Sequence, residues 1–344
     1  MSKMLEFFAC PQYSLPTLVC YMELMLLKEI EFNLCPYELN AATIKNHRGE
    51  NCMCDNDTQK DVEEYLSRHP EMTRRDFTKL ATSAGLAMMF PPMANAQSVS
   101  ERDVEIRTPD GVADCYFVYP SHGAHAAVLV WPDILALRPA FREMGKRLAR
   151  SGYAVLTVNP FYRDAHAPVV GFGASFGQPE TREIVLPMAR NLNADTHFSD
   201  ARAFIEWIDR QPEVDTSKGI GTTGYCMGGP MVMRTVAAVP ERMAAGATFH
   251  GGGLATGNPD SPHLLIPDTR AQMLHCVAQN DDDNDPEAKA TLRSSYADAG
   301  ISAEIEVYED AMHGWCAIDS QVYHQAQAER AWSRLLNLFN RALA

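Results

Sequence analysis

The stretch that most constrains the fold is Gly224-Tyr225-Cys226-Met227-Gly228-Gly229, inside the run GIGTTGYCMGGPMVMRTVAAV. A short strand of small and β-branched residues leads into it and a helix-forming run leads out, so the chain must reverse abruptly at a single cysteine. Glycines flank that cysteine because the apex of such a turn holds a strained backbone and the crossing elements leave no room for side chains. This is the form of a nucleophile elbow, G-x-Nuc-x-G, with a thiol in place of a hydroxyl. The helix that follows aims its N-terminal amides at Cys226, where they can stabilise a thiolate and later an oxyanion. A turn that merely buries a cysteine would carry the same letters, so the rest of the chain has to discriminate.

From Gln97 onward, strand-like and helix-like runs alternate at the rhythm of an α/β domain. Strands are predicted at Val104–Thr108, Cys115–Tyr119, Ala127–Trp131, Ala154–Asn159, Gly219–Thr223, Ala244–Phe249, Met273–Ala278 and Glu304–Tyr308. The central ones are short apolar runs, as parallel strands covered on both faces require. Helices are predicted at Pro139–Ser151, Asp195–Gln211 and in the closing segment, each with one apolar face at 3 and 4 spacing. Pro160–Ala194, rich in Gly, Pro and aromatics, breaks the rhythm and reads either as a lid or binding wall or as an obscured helix.

The text before Gln97 has a different character. Thr73-Arg74-Arg75-Asp76-Phe77-Thr78-Lys79, the apolar run LATSAGLAMMF and the A-x-A-like end at Ala94-Asn95-Ala96 together form a bacterial Tat-type export signal over 73–96, with cleavage expected after Ala96. Its apolar run is too short to span a bilayer. Residues 1–72 form an N-terminal extension of uncertain standing, and Met53, or else Met72, is a candidate for the true start. The expected destination is the periplasm or the exterior, with the Tat machinery as partner of the leader and 97–344 as one α/β domain.

Composition excludes other classes. The net charge is −14 without a basic stripe outside the leader, which disfavours nucleic acid and anionic membrane as partners. Of the nine cysteines, Cys52 and Cys54 lack the second pair or nearby histidines that a zinc site needs. Cys115 and Cys276 lie in strand-like runs as small core residues. No metal or organic cofactor is implied.

A thiol at an elbow needs a base, an orienting acid and an oxyanion hole. Downstream of Cys226, the strand MLHCVA runs into Gln279-Asn280-Asp281-Asp282-Asp283-Asn284-Asp285-Pro286, placing carboxylates at a strand's carboxyl end. Next, EIEVY runs into Glu309-Asp310-Ala311-Met312-His313-Gly314-Trp315 before the last helix. Cys226, Asp281 and His313 therefore stand in the order that an α/β-hydrolase uses, with Asp282 the alternative acid. His250, in FHGGGL, is expected to be a loop histidine satisfied by backbone, or to line a pocket. His275 is expected in the core. Cys316 is expected as a buried thiol, with a disulfide to Cys226 as the alternative.

From Val112 to Phe339 the chain resembles the dienelactone hydrolases (carboxymethylenebutenolidases), which have the α/β-hydrolase fold: a mostly parallel central sheet with helices on both faces. GYCMGG is similar to that family's elbow, AQNDDDNDP to its acid loop and EDAMHGW to its histidine loop. Trp131-Pro132-Asp133-Ile134 stands where the family carries an acidic residue followed by Ile, and GYAVLTVNPFYR resembles its next strand and turn. The resemblance implies Cys226 as nucleophile, His313 as base, Asp281 as its orienter, and the amides of Met227 and Ile134 as oxyanion hole. It also implies that Asp133 corresponds to the glutamate that meets the resting thiol. The family's carboxylate-binding arginine four residues after the histidine is Ala317 here, and Arg163 is expected on the surface. The implied function is cleavage of a small-molecule ester or lactone through an acyl-enzyme. The alternatives are a general short-chain carboxylesterase, or a non-catalytic exported ligand-binding or thiol-redox protein on the same scaffold.

Overall fold

Apolar runs at the predicted strand positions pair into one eight-stranded sheet. The strands are β1 (Val99–Thr108), β2 (Gly111–Pro120), β3 (Ala127–Trp131), β4 (Ala154–Val158), β5 (Ile220–Tyr225), β6 (Met243–Phe249), β7 (Gln272–Ala278) and β8 (Ala303–Tyr308). Their order is β1-β2-β4-β3-β5-β6-β7-β8. β1 and β2 form an antiparallel hairpin that joins β4 antiparallel, and every pairing beyond it is parallel. The computed structural model describes residues 56–68, 83–93 and 95–344. The twin arginine, Met53, Met72 and the cysteines from Cys10 to Cys54 lie outside the described residues.

The described helices are α1 (Asn56–Arg68), α2 (Ser83–Ala87), α3 (Pro139–Arg150), α4 (Pro179–Asn191), α5 (Ala194–Ile208), α6 (Gly228–Ala238), α7 (Gln279–Asn284), α8 (Pro286–Ala299) and α9 (Gln325–Ala342). They cover both faces of the sheet. On one face Phe204 and Ile205 of α5, Met231 and Val232 of α6, and Leu292 of α8 share a core with the sheet. On the other, Phe141 and Leu148 of α3 pack with Leu335 and Phe339 of α9. Each fully buried side chain of this size contributes about 2 kcal/mol of transfer free energy. No helix among the described residues is long and apolar enough to cross a membrane.

Where the structure departs from the sequence-based expectation, a weak apolar signal is the reason. β1 and β2 run further than expected because backbone pairing from Val99↔Pro120 to Thr108↔Gly111 carries the polar text Glu101-Arg102-Asp103 into the hairpin. Pro160–Ala194 is not wholly irregular: it contains α4, whose apolar face is thin, burying only Thr181 and Val185, and which carries Pro187 inside. Likewise α8 buries only Leu292 and Tyr296. The acid loop after β7 is the short helix α7.

The elbow is the tightest place in the sheet. Cys226 has φ +52°, a left-handed conformation that costs a residue bearing Cβ about 1–2 kcal/mol. A Cβ on Gly224 would run into the Gly228 carbonyl and come within 2.8 Å of Val232, and one on Gly228 would meet the Trp131 carbonyl oxygen at 2.5 Å. Gly224→Ala should therefore destabilise the protein by about 2–3 kcal/mol through overpacking, measured by urea unfolding followed by circular dichroism. A loss below about 0.5 kcal/mol would mean that the elbow relaxes freely around the added methyl.

Candidate active site

Three loops at the carboxyl ends of the parallel strands meet at Cys226. β5 and α6 hold it at the apex, where its amide donates to the Phe249 carbonyl at 3.0 Å and its own carbonyl accepts from Gly229 at 3.0 Å. Only 5% of the residue is exposed. It lines a cavity of about 150 Å³ together with Asp133, Ile134, Arg138, His250 and His313. The four described cysteines, Cys115, Cys226, Cys276 and Cys316, are all buried and none is in a disulfide, so Cys316 is not bonded to Cys226.

The histidine and acid loops are tied to each other. His313 Nδ1 lies 2.9 Å from both Asp281 carboxylate oxygens, and the His313 amide donates to Asn280 Oδ1 at 2.8 Å. α7 thus turns two consecutive residues inward, one for the ring and one for the backbone. Asp282 points elsewhere and pairs with Lys289 at 2.7 Å. With Nδ1 on Asp281, the nitrogen left to face the thiol is Nε2, which has no oxygen or nitrogen partner among the described groups. Burial by itself would lower the pKa of His313. The adjacent Asp281 carboxylate and the Cys226 sulfur, each through charge and hydrogen bonding, outweigh it and raise the value well above the usual imidazole range.

Ile134 lines the cavity and Met227 directly follows Cys226 at the start of α6, and neither residue's N–H has an acceptor among the described groups. Ile134 sits in the turn after β3, close to the elbow because Gly228 lets α6 approach the Trp131 and Pro132 carbonyls. Asp133 lines the cavity, but both its oxygens are engaged: Arg138 Nη1 and Nη2 donate to them at 2.6 and 2.9 Å, and the Leu135 amide donates to Oδ1 at 2.9 Å. The carboxylate expected to meet the resting thiol is thus held in an ion pair with Arg138. Arg163 pairs with Asp200 and Asp110 away from this cavity, and Ala317 is buried at 1% exposure.

His250 departs from the expectation of a backbone-satisfied loop residue. It has φ +40°, it is 1% exposed, and neither ring nitrogen has a hydrogen-bond partner among the described groups. Its ring meets His313 edge-on with centroids 4.9 Å apart. Burial first, and the His313 charge second, hold its pKa well below the ordinary value, so it stays neutral beside the charged ring. A histidine followed directly by three glycines was the only sequence sign of it. His275, by contrast, is a satisfied core residue, bonded to Thr248 at 2.8 Å and Tyr296 at 2.9 Å. Among the described residues no cluster of His, Cys, Asp and Glu could hold a metal ion.

An eight-stranded, mostly parallel sheet with helices on both faces, carrying a cysteine elbow ahead of an acid and a histidine at successive strand ends, defines an α/β-hydrolase. The dienelactone hydrolase family matches residues 113–343, and the chain belongs to that family. It is 28% identical over 226 residues to a carboxymethylenebutenolidase of Rhodococcus opacus, covering 64% of this chain and 83% of that one. Among solved structures, a dienelactone hydrolase-like promiscuous phosphotriesterase from metagenomic libraries superposes with a TM-score of 0.60 at 19% identity, over 72% of this chain and all of that one (100%). A dienelactone hydrolase of Anabaena variabilis gives 0.52 at 18% identity, over 72% of this chain and 99% of that one.

The His313–Asp281 pair has a definite pH signature. Because the folded pKa of His313 is raised, the stability it contributes is complete below the unfolded value of about 6.5 and is lost as pH rises through the folded one. Asp281→Asn should lower the His313 pKa, followed by ring-proton NMR, and should flatten the decline of stability above about pH 6.5. An unchanged His313 titration in the variant would contradict this electrostatic account.

Proposed function

We propose that the protein hydrolyses a small-molecule ester or lactone by covalent catalysis at Cys226. The observation that carries this reading is the buried Asp281–His313 pair, both oxygens 2.9 Å from Nδ1, with the elbow thiol on the other side of the ring. Asp281 orients the imidazole and stabilises its charged form. The raised pKa of His313 draws the thiol proton onto Nε2 before substrate is attacked, and the Cys226 thiolate of the resulting ion pair adds to the substrate carbonyl. The carbonyl oxygen becomes an oxyanion within reach of the Ile134 and Met227 amides, whose N–H groups are otherwise without acceptors among the described groups. As the C–O bond breaks, His313 returns the proton to the leaving alkoxide and an acyl-thioester remains. Water then adds to that thioester, giving its proton to His313, and the C–S bond breaks to release the acid and the Cys226 thiolate beside the protonated His313.

The named activity of the Rhodococcus opacus relative supports a lactone as one substrate type. Export through the Tat pathway, with processing after Ala96, belongs to the same reading and rests on the twin arginine and the A-x-A-like end.

Cys226→Ala should reduce turnover of p-nitrophenyl esters at least about 10³-fold, the scale expected for removing a covalent nucleophile, with an unchanged unfolding midpoint. The wild type should release a stoichiometric burst of p-nitrophenol and carry the acyl group on Cys226, detected by peptide mass. Near-wild-type turnover in the variant would sink the mechanism. Absence of any acylation would favour a binding or redox role for the thiol.

A further inference from the structure

One wall of the Cys226 cavity is a buried ionic cluster. Arg138 Nη1 and Nη2 donate to Asp133 at 2.6 and 2.9 Å. Its Nε and Nη2 donate to Asp319 at 2.7 and 2.9 Å. Nη1 also reaches the Ala136 carbonyl at 3.2 Å. A guanidinium has five N–H donors, and these five bonds occupy all of them. One flat face is closed as well, with the Phe141 ring centroid 4.9 Å from Cζ. The side chain is only 8% exposed, so it has little freedom to turn toward a ligand.

The cluster holds two carboxylates against one guanidinium, leaving one net negative charge at the cavity wall. Glu63 of α1 adds another carboxylate to the lining. Arg138 is the sole lysine or arginine lining this cavity among the described residues. The remaining lining is largely apolar, with Ile134, Leu135, Phe176 and Val322 around a space of about 150 Å³. Apart from His313, whose charge the Asp281 carboxylate offsets at 2.9 Å, an anion entering this space finds no uncommitted cation among the described residues and meets like charge at low dielectric.

We infer that the site selects short, uncharged esters or lactones and rejects substrates that carry a carboxylate close to the scissile carbonyl. This rests on Cys226 as the nucleophile. Asp319 is a specificity-determining residue in this scheme: it takes two Arg138 donors that would otherwise face an incoming carboxylate.

Two small alkylating reagents test the charge of the site independently of ester turnover. Each is attacked by the thiolate sulfur, which forms an S–C bond as iodide leaves; the two are similar in size, iodoacetamide neutral and iodoacetate anionic, and the free thiol supplies their intrinsic difference in reactivity. On the full chain, with Cys226 labelling followed by peptide mass, the iodoacetamide-to-iodoacetate rate ratio should exceed that of free N-acetylcysteine by about tenfold or more, as expected for a like charge several ångströms away in a partly buried site. Asp319→Asn should bring that ratio several-fold back toward the free thiol by accelerating iodoacetate. In parallel, kcat/KM for p-nitrophenyl acetate should exceed that for p-nitrophenyl hemisuccinate by a similar factor. A wild-type ratio equal to or below that of the free thiol overturns the inference while leaving the hydrolase reading intact. Failure of Cys226 to react with either reagent or either ester removes the nucleophile reading, and the inference falls with it.

Discussion

The left-handed backbone at Cys226 is the constraint on which the rest of the site depends. A strain of about 1–2 kcal/mol at one residue persists only where the surroundings permit no alternative path. Here three close backbone approaches supply that condition. Gly224 lies against the Gly228 carbonyl, Gly228 against the Trp131 and Pro132 carbonyls, and Gly229 against Gly251. The same approaches set the other components. The turn after β3 carries the Ile134 amide and Asp133, and the loop after β6 carries His250 immediately before Gly251. One packing arrangement therefore fixes the thiol, the amide beside it and the neutral imidazole next to His313.

The electrostatics of the site are divided between two buried ionic groups that differ in kind. In the first, His313 faces a single carboxylate, and its raised pKa keeps it a strong proton acceptor opposite the thiol. In the second, Arg138 is saturated by two carboxylates and a carbonyl, which makes it a fixed element of the wall. His250 separates itself from both by staying neutral, since a second imidazolium 4.9 Å from His313 would be strongly repelled. The titratable pair His313–Asp281 and the fixed charge of the Arg138 cluster are thus separate groups around one cavity.

Much of this was legible in the sequence because the relevant features are local. The elbow is six consecutive residues, and Asp281 and His313 each follow an apolar strand run, so position alone made them candidates. The choice between Asp281 and Asp282 was not local. It depends on which carboxylate a short helix, α7, turns inward, and adjacent helical positions lie about 100° apart. Arg138 is illegible for a similar reason: its partners are 5 and 181 positions away along the chain, and nothing in the run LRPAF marks saturation. His250 was visible as a letter, but its lack of hydrogen bonds belongs to the packed fold. The extended β1–β2 hairpin and the thinly apolar α4 and α8 escape a periodicity reading because pairing and tertiary contact hold them.

The segment before Gln97 brings two physical arguments into tension. It is proposed above as a leader to be removed, yet Leu86 is 1% exposed and packs with Ala140 and Ile318, and the Phe90 ring stacks on Arg147. α1 also reaches the site: Asp61 accepts from Asn284 at 2.9 Å, and Val62, Glu63 and Leu66 line the cavity. Magnitudes decide the effect of a cut after Ala96. Burying two large apolar side chains contributes about 2–3 kcal/mol each, whereas holding a separate peptide costs about 4–15 kcal/mol of translational and rotational freedom, besides the ordering of its own backbone. Covalent continuity therefore holds this segment in place, and a processed chain would release it. The cavity would lose the α1 side of its wall and one carboxylate. The saturated Asp133–Arg138–Asp319 cluster lies wholly after Gln97, so the negative charge facing Cys226 would survive processing, and discrimination against anions would be a property of the domain itself.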